Sequence, residues 1–308
     1  EGRGEAQAGQ IVIVELIEQP GAHSRPLGRV KEVLGEHMAP GMEIRIAIAS
    51  HGIPVEWPEA VLEEAHRYGE TVPESVSQGR WDLRGTALVT IDGITARDFD
   101  DAVYCERRGA NWRLLVAIAD VSAYVRPGTA LDQEARKRGN SVYFPDRAIP
   151  MLPEALSNGL CSLKPAVDRL CMVCEMTFNG EGRMIRSRFA EAVMRSQARL
   201  TYDTVAAIVA DRDPRVRAEY AELVPHLDRL HDLYQVLRAV REQRGAMDFD
   251  TQETVIEYGA DRKIERILPT ERNDAHRLIE ECMIMANVAA ARFLQRHKIP
   301  GLYRIHEG

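Results

Sequence analysis

The most informative stretch of the chain is Thr90-Ile91-Asp92-Gly93-Ile94-Thr95-Ala96-Arg97-Asp98-Phe99-Asp100-Asp101-Ala102-Val103. Four aspartates fall within ten residues here, after an apolar run at 87–91 that is typical of a buried strand. Like charges held this close repel, and a folded site tolerates them by binding a cation or by raising the pKa of some carboxyls. Carboxylate oxygens favour magnesium, manganese or calcium over zinc or copper. The stretch therefore predicts a divalent-metal site, with hydrolysis as one possible chemistry.

Other interpretations of this stretch are weaker or stay open. An EF-hand that started at Asp92 or Asp98 would lack the carboxylate required at its twelfth position. A phosphatase-type nucleophile directly follows a buried strand, whereas several residues separate Asp98 from the strand. A solvated acidic turn that includes Arg97 remains an alternative. In an extended conformation Asp98 and Asp100 project to one side and Asp101 to the other, so the loop has to bend for the carboxylates to converge.

Length and composition exclude several classes of protein. The 308 residues suggest about two domains, and 45% hydrophobic and 28% charged residues are typical of a globular chain. The net charge of −7 creates no general attraction for nucleic acid, so an RNA or DNA site would depend on local basic patches. The longest apolar runs are too short for a membrane span, and the N-terminus lacks the pattern of a secretory signal. We expect a cytoplasmic protein without membrane contact.

The cysteines indicate reduced thiols. Five are scattered along a long chain, which is not the pattern of a disulfide framework. Cys171 and Cys174 form a single CxxC without a second CxxC or a nearby histidine to complete a zinc site. The pattern favours two thiols packed in a buried strand.

Hydrophobic periodicity divides the chain into two regions of mixed character. Runs at 10–16, 27–34 and 42–49 predict short strands of a small β-barrel. Residues 56–80 read as a linker with a helix at 59–66. Later segments predict strands at 87–91 and 112–119, and then helices at 203–210 after a cap at Thr201, at 227–243, and at 275–297 after a cap at Asn273 or Asp274. Strands grouped ahead of helices favour an α+β class.

The aspartate stretch resembles the signature of the ribonuclease II and ribonuclease R family of exoribonucleases. The resemblance continues in order over most of the chain, through Ile118-Ala119-Asp120-Val121-Ser122, Ser141-Val142-Tyr143-Phe144-Pro145, Ile149-Pro150-Met151-Leu152-Pro153-Glu154, Leu156-Ser157-Asn158-Gly159-Leu160-Cys161-Ser162-Leu163, Arg272-Asn273-Asp274-Ala275-His276 and Leu302-Tyr303-Arg304-Ile305-His306-Glu307. The ribonuclease R branch looks nearer. A set of ordered motifs is far more specific than any one of them.

The resemblance implies an N-terminal OB-type (cold-shock) β-barrel, in part, at 1–55, a linker at 56–80 and the N-terminal part of a ribonuclease II-type (RNB) catalytic domain at 81–308. It also implies processive 3′→5′ hydrolysis of single-stranded RNA to 5′-mononucleotides with Mg²⁺, for which Mn²⁺ could substitute, by a monomer. Because the chain looks shorter than a complete ribonuclease R at both ends, an inactive RNA-binding fragment is the alternative.

The same resemblance assigns site residues. Asp92, Asp98 and Asp101 match aspartates that coordinate metal, and Asp100 matches the aspartate on which the chemistry depends most. Two metal ions about 3.5–4 Å apart would activate the attacking water and stabilise the leaving oxygen.

RNA contacts follow from the resemblance as well. Tyr143 matches an aromatic clamp near the RNA 3′ end, Tyr202 a tyrosine that contacts RNA, and Phe249 more weakly the opposite face of the clamp. Glu281 is preferred slightly over Glu280 for an active-site glutamate. For each aromatic residue, ordinary core packing is the competing interpretation. The basic runs at 181–200 and 136–138 could contact phosphates or could be solvated faces.

Overall fold

The computed structural model describes residues 4–21, 25–37, 39–246, 253–259, 263–270 and 272–303. Its strands are β1 (Gln10–Glu18), β2 (Leu27–Glu36), β3 (Trp81–Leu83), β4 (Val89–Asp92), β5 (Asp101–Arg108), β6 (Asn111–Ala119), β7 (Val142–Tyr143), β8 (Ala148–Ile149), β9 (Asp168–Phe178), β10 (Met184–Arg195), β11 (Ala198–Thr201), β12 (Glu253–Tyr258) and β13 (Ile264–Thr270). Its helices are α1 (Met42–Ser50), α2 (Glu59–Arg67), α3 (Glu74–Ser77), α4 (Ala130–Arg138), α5 (Tyr202–Val209), α6 (Pro214–Glu219), α7 (Val224–Gln243) and α8 (Asp274–His297).

The chain divides into two compact units. The first comprises Glu1–Pro58, Arg136–Met151 and Gln252–Thr270, and the second comprises Glu59–Ala135, Leu152–Thr251 and Glu271–Gly308. The domain boundaries predicted at 55 and 80 stay predictions. None of the helices in the described ranges combines the length and the apolar character that a membrane crossing requires.

In its described residues, the first unit contains three antiparallel strand pairs, the helix α1 and the end of α4. β1 pairs with β2, β7 with β8, and β12 with β13. The strands predicted at 10–16 and 27–34 are confirmed as β1 and β2. The strand predicted at 42–49 is wrong, because this segment forms α1.

Local conformation explains the helix at 42–50. Alternation of isoleucine with charged residues suggests a strand period, but methionine, glutamate, arginine and alanine are all good helix formers. Gly41 has φ +77°, a left-handed conformation that turns the chain away from β2. The helix then satisfies its backbone hydrogen bonds locally, without a partner strand. Met42 is its buried anchor at 2% exposure.

The second unit is built on a seven-stranded sheet of order β11-β4-β5-β6-β9-β10-β3. The outer pairs β11–β4 and β10–β3 are parallel, and the pairs between them are antiparallel. The strands predicted at 87–91 and 112–119 are confirmed as β4 and β6. Cys171 and Cys174 lie buried in β9 as predicted, and none of the five cysteines forms a disulfide.

Both faces of this sheet are packed. On one face α5, α7 and α8 cover a core that includes Trp112, Leu114, Phe178 and Leu230. Each large aliphatic side chain buried there stabilises the fold by roughly 1.5–3 kcal/mol. The other face packs a second cluster that includes Leu88, Phe99, Leu115 and Leu163. The sheet is therefore a rigid support for the loops at its edges.

The predicted helices of the second unit are confirmed, with their caps. The hydroxyl of Thr201 accepts a hydrogen bond from the Thr204 N–H at 3.1 Å and so begins α5. Of the two candidates for the cap of α8, Asn273 is the N-cap, and His276 completes a capping box with it. These caps fix where the two helices begin beside the sheet.

Candidate active site

Strand topology brings Asp92, Asp101 and Tyr202 to one edge of the sheet. Asp92 is the last residue of β4 and Asp101 the first of β5, and these strands are antiparallel neighbours. On the other side, β11 runs parallel to β4 with Thr201 opposite Asp92, so Tyr202 leaves the sheet at the same edge. Residues 92–101, which we call the acidic loop, connect β4 to β5 at this edge.

The carboxylates of the acidic loop act on one another. Burial raises the pKa of Asp92 to about 7, and the charge of Asp101 adds to this while Arg199 opposes it. Burial, with the charge of Asp100, raises the pKa of Asp101 to about 6. The pKa of Asp100 is also raised, by burial and by Asp98. The four aspartates singled out in the sequence therefore form one repulsive cluster.

Two carboxylate oxygens in this cluster are buried without a partner. In the described part of the chain, Oδ2 of Asp92 and Oδ2 of Asp101 have no hydrogen bond. An unpaired buried carboxylate is costly in free energy, and native proteins rarely keep one without a ligand or a catalytic purpose. These oxygens are hard donors, as magnesium and manganese prefer.

The donor set fits a magnesium ion that is held in part by its substrate. Across the described ranges, no three His, Cys, Asp or Glu side chains gather into a site that could hold a metal by themselves. Magnesium is usually bound by one or two carboxylates together with water and substrate phosphate oxygens, not by an all-protein cage. The pair of unpaired oxygens meets that requirement.

Two side chains that carry no role in the sequence-based site hold the acidic loop through its backbone. Arg199 on β11 donates from Nη2 to the carbonyl oxygens of Gly93 and Ile94, at 2.7 and 2.8 Å. Ser162 bonds the backbone of Arg97 and Phe99. Sequence reasoning counted Arg199 only as a possible phosphate contact and quoted Ser162 only within a motif.

Tyr202 lies close to the aspartates. Its ring stacks on that of His276, with 3.9 Å between the centroids and 20° between the planes. Burial raises the pKa of Tyr202 to about 12, and the charges of Asp92 and Asp101 add to the shift. Its predicted contact with RNA stays a prediction, next to the carboxylates.

The two glutamates of α8 differ in their surroundings. Glu281 is 3% exposed and bonds Arg241 of α7, and burial raises its pKa against the effect of that arginine. Glu280 pairs with Arg272 and acts electrostatically on Tyr202. The charge of Glu280 therefore acts on Tyr202, and the RNA-binding role of Glu281 stays a prediction.

One of the two predicted clamp residues lies in the described part of the chain. Tyr143 lies on β7 in the first unit and is 67% exposed, as a side chain that stacks on bases must be. Phe249 lies outside the described residues. Both assignments stay predictions.

Several residues of the basic runs are engaged within the protein. Arg188 pairs with Glu175, and Arg195 bonds Asp168 at 2.8 Å. In the first unit, Arg138 donates to backbone carbonyl oxygens and stacks over Trp57 at 3.4 Å. These contacts favour structural roles for the three arginines over phosphate binding.

Two family models together match most of the chain. The RNB domain model matches residues 80–308, and a cold shock domain model matches residues 1–58. The chain belongs to the RNB-domain family. The predicted α+β class with an N-terminal cold-shock domain and an RNB domain is confirmed.

Named relatives agree with the RNB assignment. The chain is 56% identical to ribonuclease R of Vibrio parahaemolyticus over 308 residues, and 56% identical to ribonuclease R of Escherichia coli over 303 residues. These matches cover 100% and 98% of this chain, which spans 37% of the length of each relative. The structure of Mycoplasma genitalium RNase R in complex with ribose-methylated single-stranded RNA superposes with a TM-score of 0.89 at 30% identity, covering 99% of this chain and 47% of that one. The resemblance to ribonuclease R is confirmed.

Proposed function

We propose that this RNB domain is a 3′→5′ hydrolytic exoribonuclease that degrades single-stranded RNA processively to 5′-mononucleotides. The observation that carries the proposal is the pair of buried, unpaired carboxylate oxygens of Asp92 and Asp101. The chain that carries these oxygens belongs to the RNB-domain family, and relatives that are 56% identical to it are named ribonuclease R. The RNA-bound Mycoplasma genitalium RNase R, with the same fold, supports RNA as the ligand.

We assign the divalent cation to the carboxylates of Asp92, Asp98 and Asp101, with Mg²⁺ as the physiological ion and Mn²⁺ as a substitute. A bound ion of this kind would lower the pKa of water and neutralise charge on the phosphate. The raised pKa values of Asp92 and Asp101 imply that cation binding would release protons from this pair at neutral pH.

The remaining residues of the proposed site bind and orient RNA. Asp100 would provide a negative charge beside the reacting phosphate, so that its loss blocks hydrolysis and spares RNA binding. Tyr143 would stack on bases, which contributes about 1–3 kcal/mol per base without sequence preference. Tyr202, already in the field of the aspartates, would contact the RNA near its 3′ end.

The test is digestion of 5′-labelled single-stranded RNA with and without Mg²⁺, using the chain and Asp100→Asn. Asp82→Asn is the matched control, because Asp82 lies on β3 of the same sheet and is paired with Arg84. We expect the 5′ label to pass to short end products with few intermediates, and a uniformly labelled RNA to release 5′-mononucleotides. Asp100→Asn should abolish both products and Asp82→Asn should retain them.

A second candidate is RNA binding without hydrolysis, which the 67% exposure of Tyr143 on β7 favours because stacking on bases needs no metal. If the RNA stays intact with Mg²⁺ while a gel-shift assay shows binding that does not depend on metal, the chain is a binding module and the exoribonuclease proposal is wrong.

A further inference from the structure

Ser162 bridges the backbone of the acidic loop around one aspartate. Its hydroxyl accepts a hydrogen bond from the Phe99 N–H at 3.0 Å and donates one to the Arg97 carbonyl oxygen at 3.0 Å. The next residue, Leu163, donates its N–H to the Phe99 carbonyl oxygen at 2.8 Å. One serine thus contacts the chain immediately before and immediately after Asp98.

Ser162 is itself held rigidly. Its side chain is completely buried, and its carbonyl oxygen accepts a hydrogen bond from Nε of Arg169, a buried residue of β9, at 2.9 Å. Phe99 and Leu163 pack in the same core cluster against the sheet. The segment before Ser162, Ala155–Leu160, is a helical stretch that is kinked at Gly159. Ser162 therefore connects β9, through Arg169, to the backbone of the acidic loop.

Repulsion among the carboxylates of the acidic loop opposes their close approach, so the loop needs a restraint on its backbone. Beyond the effect of burial, the charges of Asp101 and Asp100 raise the pKa of Asp92, and the charge of Asp100 raises that of Asp101. The Ser162 bonds restrain the loop through backbone atoms. A hydroxyl that grips the backbone can therefore hold the loop in place and leave the carboxylates to bind a ligand.

Arg199 restrains the start of the acidic loop, and unlike Ser162 it carries a charge. It bonds the carbonyl oxygens of Gly93 and Ile94, close to Asp92, and its charge lowers the pKa of that aspartate. Ser162 is neutral and acts near Asp98 and Asp100. A substitution of Ser162 therefore tests geometry alone, without changing the charge of the site.

We propose that Ser162 is a positioning residue of the active site, whose hydroxyl holds the backbone on both sides of Asp98 and thereby sets where Asp98 and Asp100 present their carboxylates. The inference rests on the proposed exoribonuclease function. Ser162 takes no part in the chemistry, and it acts through the loop that it anchors.

The test compares Ser162→Ala with Ser162→Thr, which keeps the hydroxyl, and with Ser196→Ala as a matched control. Ser196 is 2% exposed, and its hydroxyl donates to the Ala198 carbonyl oxygen at 3.0 Å without touching the acidic loop. Three quantities are measured: amide hydrogen exchange, Mn²⁺ affinity by electron paramagnetic resonance, and kcat and KM on single-stranded RNA with Mg²⁺.

We expect Ser162→Ala to accelerate exchange of the Phe99 amide about tenfold or more, while the amides of β6 and β9 keep their protection. Residues that orient metal ligands typically contribute about 10–100-fold to metal affinity or activity, so Mn²⁺ affinity and kcat should fall by about that factor. KM should change less than about threefold, since the RNA contacts are intact. Ser162→Thr should restore most of kcat, and Ser196→Ala should match the parent chain.

The proposal is overturned if Ser162→Ala keeps the parent Mn²⁺ affinity and kcat, or if Ser196→Ala loses as much as Ser162→Ala. If the parent chain hydrolyses no RNA, the proposed function has failed, and the exchange and Mn²⁺ measurements alone decide the role of Ser162. A normal exchange rate at Phe99 in Ser162→Ala would also overturn it.

Discussion

Two sets of half-buried carboxylates on the same sheet have opposite electrostatics. In the acidic loop, burial and mutual repulsion raise the pKa of Asp92 to about 7 and that of Asp101 to about 6. In the middle of the sheet, Glu106, Arg113, Glu175 and Arg188 form what we call the arginine ladder, across β5, β6, β9 and β10. Burial acts to raise the pKa of Glu175 there, yet the bonds and charges of its arginines bring it below its usual range.

The two sets differ in the partners of their carboxylates. The Glu175 side chain is only 14% exposed, and Nε of Arg113 lies 2.5 Å from its Oε1. In the described ranges, an oxygen of Asp92 and one of Asp101 have no such partner. Paired carboxylates stabilise the sheet, whereas carboxylates kept unpaired at a cost in stability indicate a ligand that binds later.

The largest expected effect is a loss of RNA hydrolysis when a carboxylate of the acidic loop is removed, but not when one of the arginine ladder is. Asp101→Asn should reduce hydrolysis of single-stranded RNA about 10³-fold, or about 4 kcal/mol, because it removes a charge that acts in the proposed reaction. Glu175→Gln should leave kcat within about threefold of the parent chain. Rates from quenched digestions of labelled RNA decide this, and equal losses in the two variants would remove the functional distinction between the sets.

Stability should change in the opposite direction from activity at the acidic loop. At pH 8 without metal, Asp92→Asn removes a buried repulsive charge and should raise the free energy of unfolding by about 1 kcal/mol, the equivalent of one pKa unit. Urea denaturation measures it. Asp82→Asn is the control, since Arg84 lowers the pKa of Asp82 to about 2 and the same substitution there should give no gain.

Adding Mg²⁺ to the parent chain and to Asp92→Asn tests whether Asp92 is a metal ligand. The ion should raise the melting temperature of the parent chain, because it binds the folded state, and should do so less in Asp92→Asn. An equal response in both would argue against Asp92 as a ligand.

The smallest effect is the acid dependence of the arginine ladder. The folded-state pKa of Glu175 is lowered, so its stabilising contribution is complete above its usual pKa and is lost as pH falls through the lowered value. Between pH 5 and pH 3, the stability of the parent chain should therefore fall more steeply than that of Glu175→Gln, by less than about 1 kcal/mol. Parallel curves from urea denaturation across this range would mean that the ladder contributes nothing there.

Local patterns predicted most elements of the second unit. The helices that begin at Thr201 and Asn273 follow from caps and apolar periodicity, which act within a few residues. The segment 42–49 shows the limit of this approach, because its alternating isoleucines suit a strand while its composition suits a helix. Which of the two forms depends on the turn at Gly41 and on available partners, and neither is a property of the segment itself.

The sequence alone determined that four aspartates lie in one loop after a buried strand, because all four fall within ten consecutive residues. It also determined the buried thiols of β9 and the resemblance to ribonuclease R. Only the tertiary structure decided which carboxylate oxygens stay unpaired, that Glu281 is bonded to Arg241 of α7, and that Ser162 anchors the loop from 63 residues away from Phe99. Pairing and burial depend on which distant strands become neighbours, and no short-range pattern encodes that.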